Sequence, residues 1–346
     1  MVTVLEDVAF RVDGLRFLEH APRSCDDVVL DLSQCSLAQG IWALPALDAI
    51  AAQMPAARLA VLANDDLAHL LVAHLRSLRP LLSQAQSVVR MEAGRAVPPR
   101  ALSIELSPHP TTRPRLSPER DRLRVPSRPF PKRIQHAWGH WVDGARACGF
   151  DARAARPKLR LDDRDARRSA RSWLRERFGR RGRTLIALLP SANDDASWGI
   201  DRFAQAGREL ATRLDASLLC RGAQVPGATA LDDLDIVTAA HVLSLVAVAI
   251  GDVDGLVHVA AAVGAAAVSL HGDASAEEHG AASELGAAVS TDRCRCTIPR
   301  PGCVACIAPA RVIDVAEQLA GQRWPWDRLA QLGIVLPARP RMRLWA

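Results

Sequence analysis

The chain has 346 residues, 49% of them hydrophobic, and a formal charge of +6 carried by arginine far more than lysine. That length exceeds one compact core and suits two domains. Eight tryptophans, six phenylalanines and no tyrosine leave few rings for a nucleic-acid platform built on base stacking. No apolar run reaches the ~18 residues of a membrane span, and MVTVLEDVAF lacks a basic region before an apolar one; a cytoplasmic location is expected. The basic balance reads either as a solvated surface or as attraction to anionic partners such as nucleotide sugars or an acidic membrane face.

In chain order, DVVLDLS (27–33) is a short apolar run suited to a buried parallel strand. GIWALPALDAIAAQM reads as a helix, RLAVLAN as a strand, and DDLAHLLVAHLRSL as a helix with acids in its first turn. SVVRM and ALSIELS fit further strands. From Pro110 to Pro131, proline and arginine dominate and periodicity vanishes, which predicts a linker. IQHAWGHWVDGARACG reads as an amphipathic helix. Its His136 and His140 lack the acid or cysteine that would complete a metal set. A second alternating block follows: RTLIALLPSA, DRFAQAGRELATRL, ASLLCRG, VLSLVAVAIGD, AAAVSLHG and ARVIDVAEQLAG. Strand and helix alternate in both halves, which predicts two doubly wound α/β units with ligands beyond the carboxyl ends of their strands.

Within the second block, AIGDVDGLVHVAAAVG reads as a strand, an exit turn at Gly255 and a helix start. Unpaired N–H groups there suit a diphosphate. His258 stands one turn in, with Asp252 and Asp254 in the turn, and His271 and Gly272 end the next strand.

This segment resembles the D-T-G-x-x-H-x-x-A-A signature of the family 9 glycosyltransferases, the ADP-heptose:lipopolysaccharide heptosyltransferase group. LSQCSLAQGIWALPALDAIAAQMPAARLAVLAN, LLPSANDDASWGIDRFAQAGREL and LLCRGAQ resemble the family's other conserved segments in order and spacing, over roughly residues 27 to 321. The resemblance implies a GT-B fold: an acceptor domain (1–160, with the linker 110–131), a nucleotide-sugar domain (161–321) and a tail (322–346). It implies metal-free transfer of a heptose from an ADP-sugar, with inversion, to a lipopolysaccharide core or a protein hydroxyl. Peripheral contact with the inner membrane face and oligomerisation belong to the same expectation; nucleic acid does not. The donor-binding positions it implies are Ser191, Ala192, Arg221, Gly222, Asp252, Asp254, Gly255, His258, His271 and Gly272. The signature acid falls on Val253, between Asp252 and Asp254.

Three departures bear on activity. Cys35 and Ala38 replace glycines usual in the family's first loop. Gln39 stands where the family places an acid that resembles a base for the acceptor hydroxyl, and Ala196 stands where a lysine faces the donor phosphates. A neutral amide is no base near pH 7, and general base catalysis contributes ~10²–10⁴-fold. Losing a cation removes stabilisation from the leaving diphosphate; Arg202 and Arg221 are the nearby replacements. A catalytically degenerate binding or scaffold protein is therefore the rival reading.

Cys294, Cys296, Cys303 and Cys306 form C-x-C, six residues, then C-x-x-C. In a reduced compartment two close thiol pairs suit one tetrahedral ion. Zinc and iron both fit four thiolates, and the protein-modifying autotransporter heptosyltransferases resemble this in carrying cysteine-bound iron. Free thiols in a surface turn are the alternative.

Overall fold

The computed structural model describes residues 27–55, 57–78, 88–91, 102–108, 116–117, 122–127, 135–179, 184–191, 197–253, 255–272, 276–290 and 304–322. The first half runs β1 (Asp27–Asp31), α1 (Leu37–Trp42), α2 (Leu44–Gln53), β2 (Arg58–Leu62), α3 (Asp65–Leu78), β3 (Val88–Arg90), β4 (Leu102–Ser107), β5 (Leu116–Ser117), β6 (Arg122–Pro126) and α4 (Ala137–Ala147). The second runs α5 (Arg164–Phe178), β7 (Thr184–Leu189), α6 (Ile200–Leu214), β8 (Ala216–Cys220), β9 (Thr229–Ala230), α7 (Ile236–Leu243), β10 (Val248–Asp252), α8 (Leu256–Ala262), β11 (Ala266–His271), α9 (Ala276–His279), β12 (Gly286–Ser290) and α10 (Pro309–Gln322).

Each half builds a six-stranded sheet, in the orders β3-β2-β1-β4-β6-β5 and β12-β11-β10-β7-β8-β9. All pairings are parallel except β5 with β6. Read from β9, the second order is the dinucleotide-fold order, whose direction reverses between β7 and β10; the first reverses between β1 and β4. The central strands β4, β7, β10 and β11 are buried along their whole length, as expected for parallel strands covered on both faces. This is the expected GT-B architecture of two Rossmann-like units.

The predicted helix over GIWALPALDAIAAQM is two helices. Ala43 closes α1 and opens α2, and Pro45 sits in the first turn of α2, where a missing N–H costs nothing. The predicted linker also needs correction. Arg122–Pro126 pairs in parallel with β4, and Leu123 and Val125 are buried; the period-two pattern of R-L-R-V carried this strand beneath the proline and arginine content. Helix α5 went unread because its buried face is only Ala170, Trp173 and Leu174 among arginines. Asp163 caps it by accepting from the Asp165 and Ala166 amides.

The two halves are packed together. One apolar cluster includes Leu30, Ile41 and Trp141 from the first half and Leu189, Val259 and Ala262 from the second. Polar bonds join the same seam: the Leu159 amide donates to the Ala262 carbonyl (2.9 Å) and Arg156 to the Ser283 carbonyl (3.0 Å).

Candidate active site at the junction of the two sheets

The switch point of the second sheet lies between the ends of β7 and β10. Asp252 ends β10 and is 3% exposed. Its carboxylate accepts from the Ser191 amide (2.8 Å) and the Trp198 amide (3.1 Å). It therefore ties together both ends of the segment joining β7 to α6, which includes the resemblance's phosphate-binding positions. Asp252, a donor-binding position by the resemblance, thus also fixes the ends of the β7–α6 loop. Trp198, fully buried, closes the loop by donating from Nε1 to the Ile307 carbonyl (2.9 Å). Ala192, Ala196 and Asp254 lie outside the described residues.

Gly222 adjoins this loop. Its φ is +103°, and a Cβ there would stand 2.4 Å from the Pro190 carbonyl oxygen, so the position takes glycine for close approach. The candidate cations are engaged. Arg221 donates to the carbonyls of Leu231 (2.8 Å) and Leu234 (2.9 Å), and Arg202 to that of Trp198 (2.9 Å). Both hold backbone turns in place.

The start of α8 packs against α1. Gly255 (φ +156°) meets α1, and a Cβ there would stand 3.1 Å from the Leu37 side chain. His258 is buried, with Nε2–H donating to the Val253 carbonyl (3.0 Å) and Nδ1 accepting from Trp42 Nε1–H (3.3 Å). Both nitrogens are engaged, Nε2 within its own half and Nδ1 across the seam, so a phosphate contact by His258 is not the observed geometry. Burial pushes its pKa down to about 3; protonating Nδ1 would also set one N–H against another. His136, the N-cap of α4, repeats the pattern. It accepts from the Trp138 amide (3.3 Å) and donates to the Gly280 carbonyl across the seam (2.7 Å), and burial lowers its pKa.

His271 completes the histidine group at the end of β11. Its Nε2 contacts the Ser269 hydroxyl (2.9 Å), and its buried Nδ1 has no hydrogen-bond partner among the described residues. Burial, then the neighbouring His279 and His136, pushes its pKa down to about 4. Gly272, also buried, follows directly.

On the first-sheet side, Gln39 is helix machinery. Ser36 caps α1 by accepting from the Gln39 amide (3.3 Å), and the Gln39 side chain accepts from the Ser36 amide (2.8 Å). This is an S-x-x-Q capping box, a pattern legible in the sequence. Gln39 also lines a cavity of about 190 Å³ with Ser127, His140, Glu278 and His279. That cavity draws residues from both halves beside the seam; Glu278 and His279 were missed because nothing in AEEH marks them.

Of the clustered cysteines only Cys306 lies among the described residues, at the end of the 3₁₀ turn before α10; Cys294, Cys296 and Cys303 lie outside them. Burial pushes the Cys35 and Cys148 thiols up to about 12, which makes them inert. Cys306 is half-buried, and no group of three or more metal-binding side chains occurs among the described residues. No described helix is long and apolar enough to cross a membrane.

Known structures share this fold. A family 9 glycosyl transferase from Veillonella parvula superposes over 86% of this chain and 98% of its own length, with a TM-score of 0.60 and 14% identity. The E. coli ADP-heptose lps heptosyltransferase II matches over 85% and 99%, at 0.54 and 15%. The dodecameric iron-containing heptosyltransferase TibC of enterotoxigenic E. coli, in complex with ADP-D-β-D-heptose, matches over 86% and 77%, at 0.54 and 14%. No protein-family model matches the sequence, and no curated protein matches it. The fold is GT-B, like that of the family 9 heptosyltransferases.

Proposed function

We propose that the chain is a glycosyltransferase that takes a heptose-type sugar from an ADP-sugar. Residues 161–321 would hold the donor and residues 1–160 the acceptor, a lipopolysaccharide core or a protein hydroxyl. The observation that carries the reading is the Asp252 clamp, which shapes the β7–α6 loop at the switch point of a dinucleotide-type sheet facing a second sheet. Ligands of such sheets bind at that point. Calorimetry with ADP-D-β-D-heptose, run beside an assay of ADP release and transfer, tests it. Saturable binding with turnover is expected; absence of binding overturns it.

A second reading, donor binding without transfer, is favoured by one specific observation: the Gln39 amide is occupied in the cap of α1. Binding without ADP release would establish it. The four-cysteine segment joins the proposal as a structural zinc or iron site. Cys306 is half-exposed, whereas Cys35, Cys148 and Cys220 are buried, and elemental analysis of the purified chain should find about one equivalent.

A further inference from the structure

The cavity beside Gln39 contains a carboxylate from the opposite half. Among its described lining residues, Glu278 on α9 is the one acid, and its side chain is 16% exposed. A relay of buried groups aims an imidazole at it. Asp143 on α4, 6% exposed, accepts from Gln135 Nε2 (2.7 Å), which also lies 3.2 Å from His140 Nδ1. The Asp143 bond fixes the Gln135 amide with its NH₂ group inward, so Nδ1 of His140 accepts and Nε2 carries the proton. Nε2 in turn faces Glu278 Oε1 at 3.7 Å. An imidazole N–H beside a carboxylate orients it. A contact slightly long for a hydrogen bond is common before substrate arrives.

We propose that Glu278 is the general base of the transfer reaction, with His140 as its positioning residue; this rests on the glycosyl-transfer reading above. The acceptor hydroxyl gives its proton to the Glu278 carboxylate. Its oxygen forms a bond to the anomeric carbon, and the bond from that carbon to the phosphate oxygen breaks. The electron pair leaves with ADP, and the configuration inverts. The base lost at Gln39 is thus supplied across the seam, into the same cavity.

The test measures ADP release from ADP-D-β-D-heptose, with water as acceptor, beside the calorimetric Kd for that donor. Glu278→Gln should lower release ~10²–10⁴-fold with Kd within about twofold of the wild type, because the donor loop is untouched. Glu277→Gln, at an exposed neighbour, should change neither. Glu278→Ala should regain part of its rate with added formate, which supplies a carboxylate where packing alone could not. Release retained by Glu278→Gln, or a loss that formate does not restore to Glu278→Ala, overturns the assignment and leaves the reading standing. A wild type that binds donor without releasing ADP overturns transfer and assignment together.

Discussion

Asp252 shows how one side chain can hold both ends of a loop. Two backbone N–H groups from opposite ends of the β7–α6 loop converge on its carboxylate, and each such bond is charge-assisted. Asp252→Asn preserves the volume but can replace an acceptor oxygen with an NH₂ group facing a backbone N–H. Leaving a buried donor without its acceptor costs about 1–3 kcal/mol. The expected result is a loss of that size in urea unfolding, with weaker binding of ADP-D-β-D-heptose; unchanged stability would show that the clamp is dispensable. The sequence displayed an acid at a strand end, and ligand contact was the natural reading. What it could not display was that the nearest donors are the chain's own amides, from residues about sixty positions earlier.

At the scale of the element, α1 links helix formation to the missing base. Its capping box uses both groups of Gln39, the amide N–H and the side-chain oxygen, so the residue contributes stability whether or not the protein is a transferase. Gln39→Ala should cost about 0.5–1.5 kcal/mol by loss of the bond from the Ser36 amide. Gln39→Glu should keep the cap, since a carboxylate accepts from the Ser36 amide equally well and favours a helix start. Thermal unfolding of the two variants separates the roles; equal destabilisation by Ala and Glu would contradict the capping account. Strands and helices with strong periodicity, such as β1, α3, β7 and α6, were legible because burial on both faces or one leaves a plain pattern. Strand β6 and helix α5 were not, because arginines match or outnumber the few residues they bury.

At the scale of the molecule, neutral histidines join the halves. His258 and His136 each use both nitrogens, one bond of each crossing the seam. His258, His271 and His136 all titrate below the ordinary imidazole value. Between the ordinary value and the lowered one, the unfolded chain binds more protons than the folded chain. Stability is therefore complete above about pH 6.5 and falls as the pH drops toward 4 and then 3. For His258 alone the loss by pH 3 is on the order of 4 kcal/mol. Thermal melts from pH 7.5 to 4 should fall steadily, and a flat profile would contradict neutral histidines in the seam. The two-sheet plan was visible in the alternation of elements. The seam was not, since Trp42 and His258 meet across 216 residues and no local pattern encodes that contact.

The central claim is that an ADP-sugar binds where the switch point of the second sheet meets the first sheet. Hydrogen–deuterium exchange with and without ADP-D-β-D-heptose locates the ligand directly. The account predicts slowed exchange in the β7–α6 loop (190–199) and around the β10–α8 turn (252–258), with no change at α5 or in the groove that His69 and Arg76 of α3 line with Val237 and Thr238 of α7. Protection confined to that groove, or none at saturating donor, would contradict it.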